Sequence, residues 1–140
     1  MRIINEIIVH CSATKPSVDI GAKEIRNWHI ADNGWADIGY HYVIRRNGFI
    51  EKGRSVYRAG AHCYGHNRHS IGVCYIGGLD QNGEHKDTRT DAQKRALRQL
   101  LSELAEKYHC VIHGHNDYSS KDCPCFDATK EYADISAKYI

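Results

Sequence analysis

The sequence predicts a single α/β domain spanning residues 1–140, and three observations point to it. The runs Ile3 to His10 and Ser70 to Ile76 are almost unbroken apolar stretches, as expected of strands covered on both faces in an open α/β sheet. The stretch Thr90 to Tyr108 opens with the capping box Thr90-Asp-Ala-Gln93 and continues with Leu97, Leu100, Leu101, Leu104 and Tyr108 at helical spacing, which makes it an amphipathic helix packed on that sheet. A chain of 140 residues with 41% hydrophobic and 26% charged side chains has ordinary globular composition and can bury a core without staples.

Composition also excludes some functions. A formal net charge of +2 provides no large field for nucleic acid. Glu6 interrupts the short apolar N-terminal run, so that run is read as neither a signal peptide nor a membrane span. The expectation is synthesis in the cytoplasm without a signal peptide and no membrane partner. Six cysteines in such a chain read as thiols or metal ligands, not as a disulfide framework. Among them, Cys74 and Cys110 lie in apolar runs and read as small buried hydrophobes.

Taken in order, the first strand ends in His10, at the carboxyl edge where ligands bind in open α/β sheets. Cys11, one residue on, should face the other way. Asp19 is placed to cap a helix running to about Asp32, with Ala22, Ile25 and Trp28 on its packed face, His29 on or beside it, and Gly34 as its terminator. The stretches Ile38 to Arg45 and Phe49 to Glu51 flank Asn47-Gly48, a strong hairpin signal, and Tyr40 starts the first of them. Residues 59–70 are rich in glycine and histidine and lack periodicity; they read as a surface loop in which His62 and Asn67 are candidate groove residues. After the strand that begins at Ser70 come Gly77-Gly78 and a turn at Asp80 to Gly83. The helix from Thr90 follows, then a short strand, Cys110 to His113. Asp127 is placed to cap a last helix with Tyr132, Ile135 and Tyr139 on one face.

Between the last strand and the last helix, residues 113–127 gather His113, His115, Lys121, Cys123 and Cys125 in a segment whose Asn116, Asp117, Ser119, Ser120 and Pro124 favour turns. Imidazole and thiolate together suit zinc. With His10 and Cys123, either His113 or His115 completes a three-donor set, and period 2 does not choose between them. Three protein ligands leave a fourth tetrahedral position open, as in catalytic zinc sites, whereas adding Cys125 would close the shell and make the site structural.

Several strings now fall into register: Ile8-Val9-His10-Cys11-Ser12-Ala13-Thr14, Glu24-Ile25-Arg26-x-Trp28-His29, Gly39-Tyr40-His41, Ser70-Ile71-Gly72-Val73-Cys74 and Lys121-x-Cys123-Pro124-x-Phe126-Asp127. Together they resemble the type 2 N-acetylmuramoyl-L-alanine amidases, to which the peptidoglycan recognition proteins are more distantly related, from about Glu6 to Tyr132. The resemblance implies a central mixed sheet flanked by helices, with a zinc site at one sheet edge under a peptidoglycan groove. It implies one Zn2+ per chain on His10, His115 and Cys123, with Tyr40 and Lys121 as catalytic residues. His41, beside Tyr40, joins His62 and Asn67 as a candidate for substrate binding. The implied activity is hydrolysis of the bond between the lactyl group of N-acetylmuramic acid and L-alanine, by a monomer that reaches the wall after release or export. A module that binds peptidoglycan without cutting it is the alternative; the joint presence of Cys123, Tyr40 and Lys121 favours the enzyme.

Overall fold

The computed structural model describes residues 2–140. Its first strand, β1 (Glu6–Cys11), is buried at every position, as its apolar run requires. Helix α1 (Ala22–Asn33) starts later than expected and is not capped by Asp19. Asp19 instead pairs with Arg45 at 3.4 Å. The first-turn donors find carboxylates elsewhere: Ala22 N–H donates to Glu51 at 2.9 Å and Gly21 N–H to Glu24 at 3.0 Å. Gly34 closes the helix in the left-handed conformation, as anticipated. Ala22 and Ile25 face the sheet, whereas Trp28 is 42% exposed and not part of the core.

The hairpin forms through Asn47-Gly48 as β2 (Tyr42–Ile44) and β3 (Ile50–Lys52), which pair antiparallel. The first strand is shorter than the sequence suggests, the second is shifted by one residue, and Tyr40 lies just ahead of β2. Strand β4 (Ser70–Tyr75) is wholly buried. Helix α2 (Asp91–Tyr108) has the reciprocal cap: Gln93 N–H donates to Thr90 Oγ1, and Thr90 N–H donates to Gln93 Oε1, both at 3.0 Å. After β5 (Val111–Gly114), Asp127 accepts from Lys130 N–H at 3.1 Å. The helix that follows breaks at Tyr132 into α3 (Ala128–Glu131) and α4 (Ala133–Ser136).

The strands form one sheet in the order β3-β2-β4-β1-β5. β1 runs parallel to both β4 and β5, and β2 runs parallel to β4, so the antiparallel β3 makes the sheet mixed. Alternation along β1 divides its residues between two environments. Ile7, Val9 and Cys11 enter the main core with Leu97, Leu101 and Tyr132. On the other face, α1 covers a smaller cluster of Ile38, Val43, Cys74 and Ile76. Glu6 and His10 are the buried polar residues of the strand. They meet side chains from two loops, residues 57–69 and 115–127, and that is where the site lies. No helix among the described residues is long and apolar enough to cross a membrane.

Candidate active site

His10, at the carboxyl end of β1, is 1% exposed. His115 follows β5 directly, and their parallel pairing brings the two rings to 4.6 Å between centroids. Cys123 reaches the same point from the loop, its Sγ 3.9 Å from His10 Nδ1 and accepting from Cys11 N–H at 3.1 Å. Donor atoms of His10, His115 and Cys123 lie within 4.8 Å of one another, the one such group among the described residues that could hold a metal ion. A tetrahedral zinc shell with bonds of about 2.0–2.3 Å separates its donors by roughly 3.3–3.8 Å, so small side-chain movements suffice and the donor set fits zinc. Burial, followed by repulsion from His62 and His115, holds His10 well below the usual histidine range. Burial and then Lys121 lower His115. Both imidazoles are therefore neutral at neutral pH, the form that ligates.

After Gly114 the chain turns, and His115, not His113, is the histidine grouped with His10 and Cys123. His113 points to the Glu6 side of the face, 3.5 Å from Asp117 and 3.3 Å from Thr129 Oγ1. Cys125 is likewise outside the donor group: its thiol donates to the Gly78 carbonyl at 3.3 Å and lies 4.0 Å from Cys11 Sγ. The donor set thus stays at three.

Behind His10 runs a chain of hydrogen bonds. His10 Nε2 and His62 Nδ1 are 2.8 Å apart, and His62 Nε2 lies 3.2 Å from Ser70 Oγ. With Nδ1 of His10 facing Cys123, an Nε2–H on His10 donates to His62, which in turn donates to Ser70. Such partners fix tautomer and ring orientation in metal centres. Gly72 makes room for this arrangement, since a Cβ there would lie 2.6 Å from the His62 ring.

Tyr40 has its ring 5.1 Å from that of His10. Burial, then the neighbouring Cys74 and Cys123 thiols, raises its phenol well above the usual range, so it stays protonated at neutral pH. Lys121 and His115 line a cleft of about 630 Å³, together with Trp35, His62, Asn67 and Tyr118. Asn67 shapes the wall: its side-chain oxygen accepts from His62 N–H and Cys63 N–H at 2.9 and 3.0 Å. His41 is a correction. It is 1% exposed, outside this cleft, and its nitrogens are taken by Gly72 N–H at 3.0 Å and the Arg58 carbonyl at 2.9 Å, so it braces β2 against β4 and has no free group for substrate. Sequence reasoning missed Trp35 and Tyr118. For Tyr118 the available signal was Glu6, an acid inside an apolar strand, which requires a polar partner.

A three-donor group that could hold a metal ion at the carboxyl ends of parallel strands, with Tyr40 against His10 and Lys121 on the wall of the adjoining cleft, defines the class: an α/β protein with a hydrolase-type site. Residues 1–126 match the N-acetylmuramoyl-L-alanine amidase family, and the chain belongs to it. It is 48% identical to the endolysin of Escherichia phage T7 over 122 residues, 86% of this chain and 80% of that protein. The endolysin of Enterobacteria phage T3 matches with the same identity and coverage. Among solved structures, the N-acetylmuramoyl-L-alanine amidase LysC from Clostridium intestinale URNW superposes with a TM-score of 0.79 at 29% identity, covering 98% of this chain and 85% of that one.

Proposed function

We propose that the chain hydrolyses the amide bond between the lactyl group of N-acetylmuramic acid and L-alanine in peptidoglycan, as a zinc-dependent, monomeric, wall-lysing amidase of the endolysin type. The observation that carries the reading is the donor group of His10, His115 and Cys123 opening onto the cleft lined by Lys121. One zinc ion per chain, held by these three residues, would supply a Lewis acid for the scissile carbonyl and a water acidified toward neutral pH.

The protein's own groups do the rest. Lys121 places an ammonium on the cleft wall beside His115, where it stabilises negative charge developing on the carbonyl oxygen. Tyr40, kept as a phenol, orients the attacking water and passes a proton toward the leaving amine. His62 holds His10 from behind, and the wall around Asn67 and Trp35 takes the muropeptide. The enzyme meets its substrate after release or export from the cytoplasm.

The test is turbidity loss of purified peptidoglycan. Chelation should abolish it and added zinc should restore it. Binding of the wall without any cleavage, with zinc present, would instead make this a recognition module.

A further inference from the structure

Glu6 is a nearly buried carboxylate at the opposite end of β1 from His10, with 8% of its surface exposed. Its two oxygens are taken by the two loops that wall the cleft. Oε2 accepts from Tyr118 Oη at 2.8 Å, on the loop that carries His115, Lys121 and Cys123. Oε1 lies 3.0 Å from His66 Nδ1, on the loop that carries His62 and Asn67. The two partners also meet each other: the His66 and Tyr118 rings stack at 3.7 Å with an interplanar angle of 20°. Tyr118 is 37% exposed and its ring forms part of the cleft wall. His113 Nε2 approaches Glu6 Oε2 at 4.0 Å, so a second imidazole faces the same carboxylate.

A carboxylate in a buried strand is costly unless hydrogen-bonded, and a charge-assisted bond is about twice as strong as a neutral one. Here that requirement ties both loops to one rigid strand. We infer that Glu6 is a positioning residue for the cleft: through Tyr118 and His66 it clamps the two walls together and presents Tyr118 to the muropeptide in a fixed pose. A wall ordered in advance loses less conformational freedom when substrate binds. The clamp should therefore act on binding and not on the chemical step, whose groups lie at the other end of β1. Its consequence for substrate rests on the amidase reading; its consequence for loop order does not.

The experiment has two arms on the full chain. In the first, amide hydrogen exchange is followed at His62, Cys63 and His66 on one wall and at Gly114 and Tyr118 on the other. Tyr118→Phe should speed exchange on the His62–His66 wall, and His66→Ala on the Gly114–Tyr118 wall, each by about tenfold, the effect of losing one such hydrogen bond. If each variant loosens only its own loop, there is no clamp. The second arm measures kinetics on muropeptide. Tyr118→Phe should raise KM about tenfold with kcat within about twofold, and should add less than about twofold in a Glu6→Ala background. Effects that multiply would mean that the Tyr118 hydroxyl acts independently of Glu6, and the inference fails. If Glu6→Ala does not fold, His66→Ala takes its place in the cycle. A wild-type chain that cleaves nothing overturns the amidase reading and leaves the exchange arm to decide the clamp.

Discussion

The imidazole of His62 sits 2.8 Å from that of His10, Nδ1 to Nε2, with the rings at 90°. A residue from a glycine-rich loop thereby sets the orientation of a candidate ligand at the end of a buried strand. Burial and the neighbouring His41 hold His62 well below the usual histidine range, so it accepts from His10 without carrying charge. His62→Ala should weaken zinc affinity by about 10- to 100-fold while leaving the fold intact. Competition with a chromophoric chelator measures this, and an unchanged affinity would detach His62 from the centre.

The ligand set has its own contrast. His115→Ala should abolish stoichiometric zinc, whereas His113→Ala should spare it, because His113 is engaged with Asp117 and Thr129. Metal analysis of the two purified variants decides it; the reverse pattern would show that the assignment is wrong.

Chemistry and metal binding should also separate. Lys121→Ala and Tyr40→Phe should keep the zinc and the melting temperature but lose kcat by about 10²-fold or more, as expected when a transition-state interaction or proton relay is removed. Either variant turning over at the wild-type rate removes that residue from the mechanism.

How much of this was legible in the sequence depended on whether a signal was local. The capping box at Thr90, the Asn47-Gly48 turn and the apolar runs of β1 and β4 are local rules, and the structure keeps them. Asp19 failed as a cap because Glu51, on a strand distant in sequence, supplied the acceptor instead. Tyr40 and His41 are neighbours in sequence and looked alike as candidates. They part because one ring turns toward His10 while the other is locked between Gly72 and Arg58, a distinction made only by the packing of β2 on β4. The Glu6 clamp joins residues 112 positions apart and left only one trace in the sequence, an acid in an apolar strand.

Stability carries a pH signature at Arg89. Its side chain is 2% exposed, bonded to Asp87 and Glu131, and its guanidinium lies 3.5 Å from the centroid of the Phe126 ring, which anchors the end of the ligand loop. The Arg89 hydrogen bond lowers Glu131, and Arg89 also lowers Asp87 by outweighing the effect of burial. Carboxylates with depressed folded-state values stabilise above their unfolded values near pH 4, and that stability is lost as pH falls through the folded values. Arg89→Met should cost roughly 2 kcal/mol at pH 7, reduced from the fully buried case by the exposure of Glu131. The difference between variant and wild type should shrink from pH 5 to pH 3. Urea titrations across that range test it, and a pH-independent gap would contradict it.

The bond that is cut separates an amidase from a glycan-cleaving enzyme. Glycan-cleaving enzymes generally use two carboxylates flanking a glycosidic bond, whereas the His10, His115 and Cys123 group opens onto a cleft whose charged side chain is Lys121, which suits charge developing on an amide carbonyl. End-group analysis of digested, purified peptidoglycan measures this directly. New N-terminal L-alanine on intact glycan strands is the predicted result; new reducing sugars without new N-terminal alanine would contradict the amidase account even with zinc bound.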